Sequence, residues 1–387
     1  RAYCIIFYFI SLSSLILFFL KKKFKHSSLT SLVFLYVFYL IIKSIQYENF
    51  FEIFKIILWA FIYVVSLPYL FSYVKEKRNI LLFSTVTLIS IVSFISLTFY
   101  IYNSVYQGRL SLFFYNIHPN QSSVLLLIGI IIFCYLLIKK LISSSWVTFF
   151  LMFIINMTIF FTHSRSGIIS MFTCYIFTFF MVSKLCKIKI LICLAISSFL
   201  FFSAPLFFDK SNTNELLVSG DKLSKYKTKY GKKYIEKDTP YYANFQGLFT
   251  ITHSRLGRFT YWNELINNRM EKKDYIFGCS FNESVKWKSM NNTHSIYIWN
   301  LYYLGFIGLI LILLIQFNCF LKIKKYLGSS DPPIFSLLVF FSSLIHFLAH
   351  GSIIIKSPEP YNMLFWLPLI IIIQHELFDS KIISNNH

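Results

Sequence analysis

Apolar residues run along this chain in long blocks, and short polar breaks separate them. The blocks cover about 3–20, 28–46, 52–73, 79–102, 122–138, 145–162, 167–183, 188–208, 296–320, 333–355 and 361–378, and most are about 18 to 24 residues long. A helix needs roughly 20 apolar residues to cross the ~30 Å hydrocarbon core of a bilayer, so each block predicts one spanning helix. The pattern predicts an all-α polytopic membrane protein with about eleven transmembrane helices.

The breaks carry a second pattern. Lys21, Lys22, Lys23 and Lys25 follow the first block, and Lys75, Lys77 and Arg78 the third. Lys139 and Lys140 follow the fifth, Lys184, Lys187 and Lys189 the seventh, and Lys322, Lys324 and Lys325 the ninth. Basic clusters thus mark every second connection, the alternation that assigns those connections to the cytoplasmic side. The remaining connections, 47–51, 103–121, 162–167, 209–295 and 356–360, then fall on the outer face, with Arg1 outside and the C-terminal tail inside. An even number of spans would return both ends to the cytoplasm. We therefore expect one further helix before Arg1, for a total of about twelve.

Composition agrees with that class. Of 387 residues, 56% are hydrophobic and only 14% charged, against roughly 25% charged in soluble domains. The net charge of +21 would point to nucleic acid in a soluble protein, but here most Lys and Arg sit in the topology-setting clusters. No nucleic-acid partner is expected; membrane lipids are. The seven cysteines show no disulfide framework and no zinc spacing.

One polar stretch is long. Residues 209–295 carry 15 Lys and Arg against 9 Asp and Glu. Lys222, Lys225, Lys227, Lys229, Lys232 and Lys233 lie where no apolar period runs, so this part reads as a basic loop. In 256–270, Leu256, Phe259, Trp262, Leu265 and Ile266 recur at spacings of three and four and predict an amphipathic helix on the membrane surface. The chain thus divides into an N-terminal transmembrane bundle of about eight spans (1–208), a large outer loop (209–295) and about three C-terminal spans with a short cytoplasmic tail (296–387).

The outer connections collect the residues that could do chemistry. They are Thr162-His163-Ser164-Arg165-Ser166-Gly167; Arg255, Arg258 and Trp262; Asn291-Asn292-Thr293-His294; and Arg109 with His118-Pro119-Asn120. Arg165 reads either as a cation snorkelling to headgroups or as a fixed cation for a phosphate, whose oxygens match the guanidinium fork. Arg255 and Arg258 read as a solvated helix face or as further phosphate ligands. His294 reads as an interface histidine or as a general base, because imidazole titrates near neutral pH. Together these groups suit a reaction on a lipid-linked phosphate ester. His346 and His350 share a helix face, but two ligands make no metal site, and packed bundle histidines are the favoured reading. No Gly-rich phosphate loop, paired-Asp metal motif or Ser-His-Asp order is present. Acidic residues are nearly absent from the blocks, which argues against an ion-coupled transporter.

At these residues the chain resembles the bacterial O-antigen ligase and O-antigen polymerase superfamily. Ser164-Arg165-Ser166-Gly167 resembles its Ser-Arg-small-Gly turn. Arg258 with Trp262, followed by Gly278, resembles its Arg-x-x-x-Trp element and the glycine downstream. His294, with Leu304-Gly305-Phe306-Ile307-Gly308 after it, resembles its histidine ahead of a span opening with Gly-x-x-Gly, and His118-Pro119-Asn120 resembles an Asn-Pro-Asn element. The chain departs from the family pattern at Ser295, where Asn often follows the histidine, at Gly278-Cys279-Ser280, and in its lysine-rich stretch 222–237.

The resemblance implies a metal-independent, inverting glycosyl transfer on the periplasmic face of the bacterial inner membrane, without cofactors. The donor would be an undecaprenyl-diphosphate-linked glycan. A ligase would transfer it to lipid A–core in lipopolysaccharide biosynthesis, and a polymerase to another lipid-linked repeat unit. By position, His294 would take the acceptor proton, and Arg165 and Arg258 would hold the diphosphate. Arg255, Arg109, Trp262, His163 and Asn120 would contact phosphate or glycan. The single large loop late in the chain favours the ligase over the polymerase. A flippase of lipid-linked glycans is the alternative from another class; it would show basic residues along the middle of spans and repeat symmetry.

Overall fold

The structure is a computed structural model that describes residues 27–46, 50–73, 77–102, 110, 112, 119–208, 262–279, 295–327, 332–349 and 360–378. The described residues form helices and connecting turns. We number the helices α1 (Ser28–Ile45), α2 (Phe50–Phe61, a wide π-turn at Ile62–Ser66, then Leu67–Tyr73), α3 (Arg78–Tyr102), α4 (Pro119–Ile138), α5 (Trp146–Phe161), α6 (Arg165–Met181), α7 (Lys184–Phe208), α8 (Lys272–Phe277), α9 (Ile296–Tyr326), α10 (Pro332–Ala349) and α11 (Pro360–Phe378). The predicted block 3–20 lies outside the described residues.

Six of these helices are long and apolar enough to cross a membrane: α1, α2, α3, α4, α7 and α9. Four shorter apolar helices, α5, α6, α10 and α11, run beside them. Side chains that face outward are as greasy as those within: Ile80 is 68% exposed, Phe180 78% and Phe199 70%. A water-soluble fold would bury such residues. The chain is an all-α membrane protein.

Local chemistry sets where the helices begin. Ser27 caps α1 by accepting from the Thr30 N–H (3.2 Å), while the Thr30 hydroxyl accepts from the Ser27 N–H (3.1 Å). Ser145 caps α5 through the Thr148 N–H. Such caps satisfy N–H groups that have no partner within the helix. α4 sits innermost, with Leu126, Leu127, Ile130 and Ile131 fully buried, and packs on α3, α5, α6, α10 and α11. Glu376 of α11 is a carboxylate inside the bundle: it pairs with the Lys322 ammonium of α9 and accepts from the Tyr326 hydroxyl at 3.3 Å. A charge there is tolerable because it is paired.

The apolar pattern predicts a span at 296–320, and the structure places a break inside it. α9 breaks at Gly305, whose backbone takes φ 65° and ψ −166°. The Tyr297 hydroxyl donates to the Gln316 side chain at 3.1 Å across 19 residues. In a straight helix those positions would be about 28 Å apart, roughly twice what the two side chains can span. The segment 296–304 therefore folds back along the segment after Gly305. Both arms are largely apolar, with no charged residue within three positions of Gly305, so hydropathy alone could not reveal the turn.

Candidate functional site

The first cluster forms where α5 hands over to α6. The α5 helix stops as His163 takes the left-handed conformation (φ 51°), with its N–H still bonded to the Phe160 carbonyl (3.0 Å). A left-handed residue ends a helix and releases the chain to turn. Ser164 then caps α6, its hydroxyl accepting from the Gly167 N–H at 3.4 Å. Arg165 is the first residue of α6 and is half-buried, beside backbone N–H groups that give a helix start its positive potential.

Neighbouring helix ends close around this turn. The His163 ring is 7% exposed and lies 5.5 Å from Phe201 of α7. His346 of α10 is fully buried, stacks on Tyr361 of α11 at 5.7 Å and reaches the Ser166 backbone. Gly167 is needed for α4 to come close, since a Cβ there would sit 2.8 Å from the Cβ and hydroxyl of Ser123. Ser123 in turn donates to the Asn120 carbonyl at 2.7 Å. The residues ahead of α4 are tied in as well: Leu110 N–H bonds the Phe161 carbonyl (2.9 Å) and Leu112 N–H the Ser122 hydroxyl (3.1 Å). Of the sequence-predicted site, His163, Arg165 and Asn120 thus meet at one end of the bundle.

The second cluster surrounds the turn in α9. Breaking a helix strips carbonyls of their partners, and in an apolar setting each must find another. The Tyr302 carbonyl accepts from the Cys279 N–H at 2.7 Å. The Tyr39 hydroxyl of α1 lies 3.0 Å from the Leu304 carbonyl and 3.1 Å from the Phe277 carbonyl. Gly278 (φ 82°) and Gly305 (φ 65°) seat backbone on backbone. A Cβ at Gly278 would lie 2.2 Å from the Tyr303 carbonyl oxygen, and one at Gly305 2.2 Å from that of Ile276. Residues 262–279 therefore form a strap across the turn. Within it, the predicted amphipathic helix appears from Trp262 onward as a helical start and a wide π-turn (Glu264–Arg269); Leu265 is buried and Trp262 half-buried.

Sequence reading passed over α1. Lys43 is 3% exposed, and its ammonium donates to the Gly278 carbonyl at 3.3 Å, with Asp274 in electrostatic reach. Tyr36 donates to the buried Asn300 of α9 at 2.7 Å. The available signal was a lone lysine close to the end of an apolar block, away from any basic cluster.

The fold-back relates the two clusters. Phe320 of α9 pairs with Phe340 of antiparallel α10, ring centroids 5.9 Å apart. Counting outward from that pair places Gln316, and with it Tyr297, level with Leu344, two residues from His346. The start of the folded-back arm, at Ser295, thus returns to the depth of the His163–Gly167 turn. His294 itself, with Arg258, Arg255 and Arg109, lies outside the described residues.

The chain matches no known family model, and no curated protein and no solved structure is similar to it.

Proposed function

We propose that this protein is an O-antigen ligase-type glycosyltransferase. It transfers a glycan from undecaprenyl diphosphate to a sugar hydroxyl of lipid A–core, on the periplasmic face of the inner membrane, in about eleven or twelve spans. The observation that carries this reading is the fold-back at Gly305. It returns the residue after His294 to the depth of the turn that bears Arg165, the level at which a base and a phosphate-binding cation would have to work on one substrate.

In the proposed reaction the acceptor hydroxyl oxygen attacks the anomeric carbon of the donor. His294 takes the hydroxyl proton as the new C–O bond forms. The anomeric carbon–phosphate oxygen bond breaks with inversion, and its electron pair leaves with undecaprenyl diphosphate. The leaving group gains negative charge in this step. Arg165 at the start of α6 and Arg258 meet that charge, which stabilises the transition state more than the ground state. Arg255 and Arg109 bind phosphate or glycan, and Trp262 offers a face for a sugar. Asn120 and His163 line the same end of the bundle. A diphosphate is a good enough leaving group that neither metal nor cofactor is required.

The test is deletion of the gene and complementation with wild type, His294→Ala, Arg258→Ala or Arg165→Ala. Lipopolysaccharide and the undecaprenyl-linked glycan pool are then resolved side by side. The ligase predicts bare lipid A–core, long glycans held on the carrier, and no ladder from variants that reach the membrane. A core bearing one repeat would make the protein the polymerase. Full complementation by all three variants would remove the site and return a flippase as the reading.

A further inference from the structure

The opposite end of the bundle holds a cavity that the proposed transfer does not use. It has a volume of about 30 Å³ and is lined by Phe71 of α2, Arg78 and Leu82 of α3, Tyr135 of α4, Phe335 of α10, and Ile371 and Gln374 of α11. Of the seven described residues that line it, six carry no charge and one is a cation. The Nε of Arg78 is buried and makes no hydrogen bond among the described residues. A buried guanidinium N–H without an acceptor costs free energy that a ligand can recover. The surroundings are basic: Lys77 precedes Arg78, Lys139 and Lys140 follow α4, Lys184 opens α7, and Lys324 and Lys325 lie in the last turn of α9. Glu376 is close to this end; its Oε1 is paired with Lys322, while its Oε2 is buried with no hydrogen bond among the described residues.

We infer that this cavity is a binding site for the phosphate of an anionic phospholipid, with Arg78 as its ligand. Three observations converge on that chemistry. The Arg78 fork presents a vacant donor, and phosphate oxygens are its natural acceptors. A cavity of this size accepts one or two water-sized groups, which suits phosphate oxygens and excludes a whole lipid. Outside it, Ile80, Leu81 and Phe83 of α3 are 68%, 47% and 53% exposed and offer an apolar surface for acyl chains. Basic pockets between membrane helices attract anionic headgroups on general electrostatic grounds.

The experiment compares the full chain in nanodiscs of phosphatidylcholine alone with nanodiscs containing phosphatidylglycerol, reading retained lipid by native mass spectrometry and thermal unfolding. Wild type should retain phosphatidylglycerol and unfold at a higher temperature in its presence. Arg78→Gln should lose most of both effects, while Lys77→Gln, which removes only a surface charge, should keep them. Leu82→Phe fills the cavity without touching charge and should also abolish retention, which guards against misfolding of the Arg78 variant. Equal retention by wild type and Arg78→Gln overturns the proposal. So does a stabilisation that inorganic phosphate reproduces in phosphatidylcholine alone, since that would make it a site for free anions.

Discussion

Two regions of this protein turn the chain sharply, and they do so by different means. The His163–Gly167 turn is built from side chains: a serine cap, Gly167 set against the Ser123 side chain, and a histidine ring from α10. The turn at Gly305 is built from backbone, with carbonyls and N–H groups of the strap meeting those of the broken helix. Side-chain joints tolerate graded change, because neighbours can shift. Backbone joints do not, because a peptide group has nowhere to go. The difference predicts which substitutions disable the protein and which only weaken it.

The largest effect should come from Gly305→Ala and Gly278→Ala. Each adds a Cβ 2.2 Å from a backbone oxygen at a positive φ, and the clash and strain together should cost more than about 3 kcal/mol. Both variants should unfold far below wild type in detergent; near-wild-type unfolding would mean the strap does not seat on α9 in this way. Gly167→Ala should cost less, about 1–3 kcal/mol, because the groups that must move are side chains, Ser123 first and the Ser164 hydroxyl by a few tenths of an ångström. Here the comparison sharpens. Ser123→Gly should recover much of that loss in the double variant, whereas no single side-chain change should rescue Gly305→Ala. Tyr39→Phe removes the hydroxyl between the Leu304 and Phe277 carbonyls and should cost about 1–2 kcal/mol. Smallest is Ser164→Ala, which removes a cap worth about 1 kcal/mol. Thermal unfolding of the purified variants should reproduce this order.

Much of the architecture was legible because membrane helices announce themselves. The blocks at 28–46, 79–102 and 361–378 became α1, α3 and α11 with ends shifted by about one residue. The turn at 162–167 was also legible, since Ser-Arg-Ser-Gly between two apolar blocks leaves little else for the chain to do. The break at Gly305 was not, for its flanks Leu304 and Phe306 are as apolar as any helix interior. Gly278 and Gly305 stood out as motif glycines, but nothing in the sequence says they touch. Lys43 escaped notice for a related reason: its role depends on Gly278 and Asp274, more than 200 residues away in sequence.

Everything proposed for the site rests on α9 folding back, and a distance tests that directly. Spin labels placed at Tyr297→Cys and Gln316→Cys, in full-length protein whose seven native cysteines are replaced by serine or alanine, report their separation in lipid. The folded-back arm predicts strong dipolar broadening, a separation under about 20 Å, whereas a straight helix would hold the two backbones about 28 Å apart. The longer distance would contradict the account, because it would carry Ser295 away from the depth of Arg165.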